Sequence, residues 1–134
     1  MAQPSQWQKI DNYKREENQI RSDFNIKVRE EGDITILETS GYLNNFGGDR
    51  VASICKQSIS EGKRKLLINM EATKMVNSIG VSILIEVIED LQGVNGKIGY
   101  YNVAPIVEKT FNIMGITNYS KIYTSEQDAI EALT

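Results

Sequence analysis

The stretch MVNSIGVSILIEVIEDL, residues 75–91, sets a hydroxyl where an apolar helix would begin. Ser78, Ser82, Glu86 and Glu89 fall on one stripe of such a helix, and its other faces are mostly apolar. Ser78 heads that stripe beside Asn77, where the first backbone N–H groups have no partner inside the helix. Two kinds of chemistry fit this position. Either side chain can cap the helix, which contributes about 1 kcal/mol. Alternatively, Ser78 accepts a phosphate, whose charge of roughly −1.5 to −2 suits the positive end of a helix dipole. A phosphate that the fold tolerates still changes charge and bulk on a surface that a partner approaches closely, so it switches binding without internal rearrangement. Met75, Val76 and Ile79 flank the serine, either as a docking surface or as core.

Other chemistry is poorly provided for. The chain has no histidine, so Ser-His-Asp and Cys-His catalysis and most transition-metal sites lack their usual base or ligand. Ser78, Ser82 and scattered carboxylates do not make a nucleophile, base and oxyanion donors, and no enzyme is expected. Cys55 is the single cysteine and sits in a helical pattern, which predicts a buried, unreactive thiol. The formal net charge of −3 offers little attraction to a phosphate backbone, and the basic cluster GKRK at 62–65 reads as a solvated helix end. The glycines of GVNGKIG, residues 93–99, follow a helix and precede a strand, the reverse of a phosphate-binding loop. No apolar run is long enough to span a bilayer, and MAQPSQWQKI lacks the core of a secretion signal, so a cytoplasmic location is expected.

The elements that would position Ser78 follow from periodicity. At 134 residues the chain suits one domain. Residues 1–22 are polar with charges of both signs and read as an extension, and the domain is expected over 23–134. FNIKVREEGDITILETSG predicts a hairpin turning at Glu31, Gly32 and Asp33, its second strand too apolar to have a wet face. Val51, Ile54 and Cys55 recur at helical spacing up to Gly62. KLLINM at 65–70 is a short strand, followed by a loop and the Ser78 helix. KIGYYNV is a strand, Pro105 opens a helix that Gly115 ends, KIYT is a strand, and Thr124 with Gln127 forms a capping box before DAIEAL. Strands alternating with helices give an α/β fold with a mainly parallel sheet.

This order, together with SGYLN after the second strand, LLINME in the third and above all VNSIGVSIL, resembles the STAS domain, and more narrowly the bacterial anti-sigma-factor antagonists (anti-anti-sigma factors). NVAPIVEKTFNIMGITNYSKIYTSEQDAI is similar to the family's C-terminal half. The resemblance implies a single STAS-like domain, mostly parallel, with an N-terminal edge hairpin strand and four helices. It also implies that the unphosphorylated protein binds an anti-sigma factor that is a serine kinase, releasing a sigma factor. Phosphorylation of Ser78 would end that binding and a PP2C-type phosphatase would restore it, the ATP belonging to the kinase. No cofactor, nucleic acid or membrane contact is implied, and the chain is expected to be a monomer or weak dimer. The implied partner face takes Asn44 and Asn45 after the second strand and Met75 and Asn77 before the helix. Ser78, Ile79, Gly80 and Ser82 complete it from the helix itself. Asn44, Asn69 and Asn77 stand where the family commonly has Asp. That change either alters the grip of a basic kinase surface or keeps the shape while lowering repulsion against a phosphate. Two other roles are compatible with the domain: a scaffold or adaptor subunit of a signalling assembly, and a small-ligand module.

Overall fold

The computed structural model describes residues 24–134, and the extension expected over 1–22 lies outside the described residues. Strands β1 (Asn25–Glu31) and β2 (Ile34–Leu43) pair antiparallel across a tight turn, where Gly32 takes a φ of 61° that an L side chain resists. Strands β3 (Lys65–Val76), β4 (Lys97–Tyr101) and β5 (Lys121–Tyr123) then add in parallel, giving the spatial order β1-β2-β3-β4-β5. Between and after them run helices α1 (Asn45–Ser60), α2 (Ser78–Gly93), α3 (Pro105–Ile113) and α4 (Glu126–Leu133). The chain thus has the expected α/β architecture.

Sequential strand order has a consequence for layering. When each crossover steps the same way with the same hand, its helix lands on the same face of the sheet. One core accordingly gathers Val51 and Cys55 of α1, Leu84 and Val87 of α2, and Phe111 of α3 against Leu37, Leu66, Ile68 and Tyr100 of the strands. Tyr100 meets Phe111 edge to face, with centroids 5.2 Å apart. Among the described residues the opposite face has only α4, whose Ala129 and Leu133 cover Ile34, Ile36, Leu67 and Tyr101. Residues 34–37 are therefore buried from both sides, as the unbroken apolar character of that strand predicts. Beyond the reach of α4 the second face turns polar, and Lys27, Glu38, Asn69 and Glu71 border an open groove of about 440 Å³.

Two local expectations need correction. Strand β3 does not stop at Met70 but runs to Val76 and enters α2 with only Asn77 between them, so the predicted loop is absent. Its pairing with β2 slips from Glu38↔Asn69 to Ser40↔Ala72 and Tyr42↔Met75, which inserts extra β3 residues and erases the period-two pattern that marks a strand. Buried Thr39 and Thr73 satisfy each other across that irregularity, with their hydroxyl oxygens 2.7 Å apart. The cap of α4 is Ser125 rather than Thr124. The Ser125 hydroxyl accepts the Asp128 N–H at 3.1 Å, while Thr124 donates to the Asp128 carboxylate. The GKRK cluster does serve a helix end, for the Arg64 guanidinium donates to the Ile59 carbonyl at 2.9 Å.

The tightest packing lies where α1 and α2 begin. The Leu43 carbonyl at the end of β2 accepts the Asn77 N–H at 3.1 Å, and it presses so close to α2 that a Cβ on Gly80 would sit 2.1 Å from its oxygen. A Cβ on Gly48 of α1 would in turn approach the Gly80 Cα to 3.3 Å. Gly80→Ala is therefore expected to destabilise the protein by about 1–3 kcal/mol or more. Gly93→Ala, with nothing within 4 Å, should leave the urea midpoint close to wild type. Equal midpoints for the two variants would refute this packing.

Burial pushes the Cys55 thiol up from 9.0 to about 12, and burial likewise raises the Tyr100 and Tyr101 phenols. A group whose pKa is raised by folding keeps its proton in the native state after the unfolded chain would have lost it. Its stabilisation is thus complete below the unfolded value and lost as pH rises through the folded one. Thermal stability should hold to about pH 9 and fall between 9 and about 12. Cys55→Ala should flatten that slope, and an unchanged slope would show that the thiol does not contribute.

Candidate functional site

Chain direction brings the site together. In a parallel sheet with short strand-to-helix connections, the C-terminal strand ends and the helix N-termini share one edge, and here β2 leads into α1 and β3 into α2 side by side. Asn44 occupies the first junction and Asn77 the second, and each is an N-cap. The Asn44 amide oxygen accepts the Gly47 N–H at 3.0 Å, and that of Asn77 accepts the Gly80 N–H at 2.8 Å. This resolves the choice left open by spacing: the cap of α2 is Asn77, and Ser78 is the first helical residue.

Relieved of capping, the Ser78 side chain is exposed, and its hydroxyl has no hydrogen-bond partner among the described residues. Ser82, one turn on, donates to the Ser78 carbonyl at 2.8 Å. Ser82, Glu86 and Glu89 are exposed below Ser78, so the polar stripe does face outward. Ile79 and Met75 are 56% and 59% exposed, and Val76 is half-buried. Of the two roles left open for these residues, Met75 and Ile79 are surface.

Other members of the predicted set lie deeper. Asn45 is exposed at the start of α1, but Asn44 is buried behind its capping bond. Gly80 is also buried, and the backbone that approaches it is the chain's own Leu43–Asn44 segment. Asn69 is not at this site. It projects to the other face of the sheet, where it accepts from the Glu71 N–H and the Asn102 amide at 3.1 Å each and donates to Glu38 at 3.3 Å.

The sequence pattern missed two contributors. Tyr42 of β2, partly exposed, is the register partner of Met75. Ile106 of α3, 63% exposed, lines a shallow depression of about 130 Å³ with Met75, Val76 and Thr110. A signal for the second exists in PIVEKTFNI: Val107 and Phe111 form the buried stripe, which leaves Ile106, Thr110 and Ile113 at helical spacing on another. The site is thus a hydroxyl ringed by surface hydrophobes. Neither α1 nor α2 has a carboxylate in its first turn, and both caps are neutral, so two positive helix ends converge uncompensated. No cluster of three or more potential metal ligands occurs among the described residues. No helix of the described chain is long and apolar enough to cross a membrane.

Comparison with known proteins fits this architecture. A candidate anti-sigma factor antagonist from Thermotoga maritima superposes with a TM-score of 0.75 at 15% identity, over 81% of this chain and 93% of that one. An anti-sigma factor antagonist from Mycobacterium paratuberculosis gives 0.73 at 18% identity, over 82% and 93% of the two chains. The Bacillus cell fate determinant SpoIIAA in its phosphorylated form gives 0.63 at 20% identity, over 83% and 99%. At such identities these likenesses show the fold alone. The STAS domain family model matches residues 25–129, most of the chain. All five strands, the first three helices with the Ser78 helix start, and the first turn of α4 lie within that match, and the protein belongs to the STAS domain family.

Proposed function

We propose that this protein is an anti-sigma-factor antagonist. In its unphosphorylated form it binds an anti-sigma factor that is also a serine kinase, and a sigma factor is released. Transfer of phosphate to Ser78 ends the binding, and a PP2C-type phosphatase restores it. The chain is a ligand and a substrate in this scheme rather than an enzyme, and it acts in the cytoplasm.

The observation that carries the reading is the state of Ser78: exposed, without a hydrogen-bond partner among the described residues, and first in its helix. A capping serine would have its oxygen committed to the backbone. Here Asn77 takes that duty and leaves the hydroxyl accessible to a kinase. Surrounding it, Met75, Ile79 and Ile106 supply apolar area that a partner can bury, worth about 25 cal/mol per Å². A dianion at the centre of such a patch opposes that burial, because its hydration must be lost when the partner closes over it.

Incubation with the anti-sigma kinase and ATP, followed by peptide mapping, should find phosphate on Ser78. Phosphate on another residue, or none, would overturn the assignment. Ser78→Ala should bind the anti-sigma factor about as wild type does. Ser78→Asp should bind more weakly by on the order of tenfold, and equal affinity for both variants would remove charge as the switch. Elution of the native protein in a large stable assembly with other STAS chains would instead favour a scaffold.

A further inference from the structure

The edge of the sheet opposite Ser78, where the parallel strands begin, holds a pocket of about 340 Å³ between the end of α2, the starts of β4 and β5, and the end of α4. That volume lies in the range of small-molecule sites. Its floor is apolar, made by the buried side chains of Ile88, Leu91, Ile98 and Leu133. The register Gly99↔Lys121 places Lys97 and Lys121 on the same side of the sheet, roughly 8 Å apart by strand spacing, and Tyr123 follows on that side. Gly99 makes room for the Tyr123 ring, which a Cβ there would meet at 2.6 Å. The Lys121 ammonium stands over that ring, 5.4 Å from its centroid. Tyr119 adds a second ring, 66% exposed.

Charge around this pocket does not balance. At the start of β3, Lys63 pairs with Glu30 and Lys65 with Asp33. Lys97 and Lys121 have no ion pair among the described residues, and no carboxylate among them lines the pocket. At the rim, the Thr117 and Ser120 hydroxyls are committed to Asn112 and to the Ile116 carbonyl. The Gln92 and Asn118 side-chain amides make no hydrogen bond among the described residues. We propose that this pocket binds a small aromatic ligand bearing an oxyanion. The anionic group lies between the Lys97 and Lys121 ammoniums, relieves their mutual repulsion, and takes further hydrogen bonds from the Gln92 and Asn118 amides. Its ring packs over the apolar floor beside Tyr119 and Tyr123. Such a ligand supplies both the counter-charge and the apolar cover that the described chain does not. Ser78 lies at the other end of α2, so the site is independent of its phosphorylation.

Isotope-labelled full-length protein is titrated near neutral pH with phenyl phosphate, benzoate, inorganic phosphate and benzyl alcohol, and its backbone amide shifts are followed by NMR. Phenyl phosphate or benzoate should give saturable shifts at Gly96, Ile98, Tyr119 and Ser120, with a Kd on the order of 1 mM for so small a ligand. Whichever of the two binds tighter identifies the oxyanion. Inorganic phosphate and benzyl alcohol each carry half of the chemistry and should bind about tenfold more weakly or worse. Lys97, Tyr119 and Lys121 are exposed, so their variants should keep a folded spectrum. Lys97→Gln and Lys121→Gln should each weaken binding by about threefold, and Tyr119→Ala should weaken it as well. Lys56→Gln, on the exposed face of α1, should leave it unchanged. No saturable shift at these amides with either ring-bearing anion would overturn the inference. So would benzyl alcohol or inorganic phosphate binding as tightly as those anions, or full affinity in the double lysine variant.

Discussion

One backbone oxygen organises the functional edge of this domain. The Leu43 carbonyl ends β2, accepts the N–H of Asn77 and lies against Gly80, so three segments converge on a single atom. Because that oxygen leaves no space for a Cβ, α2 must carry glycine at its third residue. Glycine also brings α1 and α2 close enough for Gly48 to touch Gly80. The adjacency of the two helix starts is thus a packing requirement first, and its electrostatic effect follows from it.

Division of labour between neighbouring side chains follows from the same geometry. A helix start needs one side-chain acceptor for its free N–H groups, and Asn77 provides it from outside the helix. Ser78, one residue further on, lies inside the helix with its backbone fixed and its hydroxyl uncommitted. With the cap on Asn77, a change at the Ser78 hydroxyl leaves the bond that holds the helix start in place. The same logic explains why Asn44 is buried while Asn45 is exposed at the parallel junction of α1.

Much of this was legible in the sequence. Element order, the doubly covered β2, the outward stripe beginning at Ser78 and the glycine that ends α3 all follow from spacing within one element. What escaped depends on relations between elements. The continuation of β3 through Glu71–Val76 was hidden because the slip against β2 breaks alternation. Neither Asn77 nor Ser78 could be named as the cap, since both have a suitable oxygen and only the entry angle of β3 decides. Exposure of Met75 and Ile79 was not readable, because an apolar residue where a strand passes into a helix is core or surface according to which neighbouring element reaches it.

The absence of a loop between β3 and α2 also decides who adapts when surfaces meet. A strand paired with β2 as far as Val76 passes into a capped helix through one residue, so Ser78 and its apolar surround are already fixed in place. Little conformational freedom remains on this side to be surrendered in a complex. In the proposed complex the entropic burden of recognition would therefore fall on the other molecule, with the domain as a template against which that molecule orders itself.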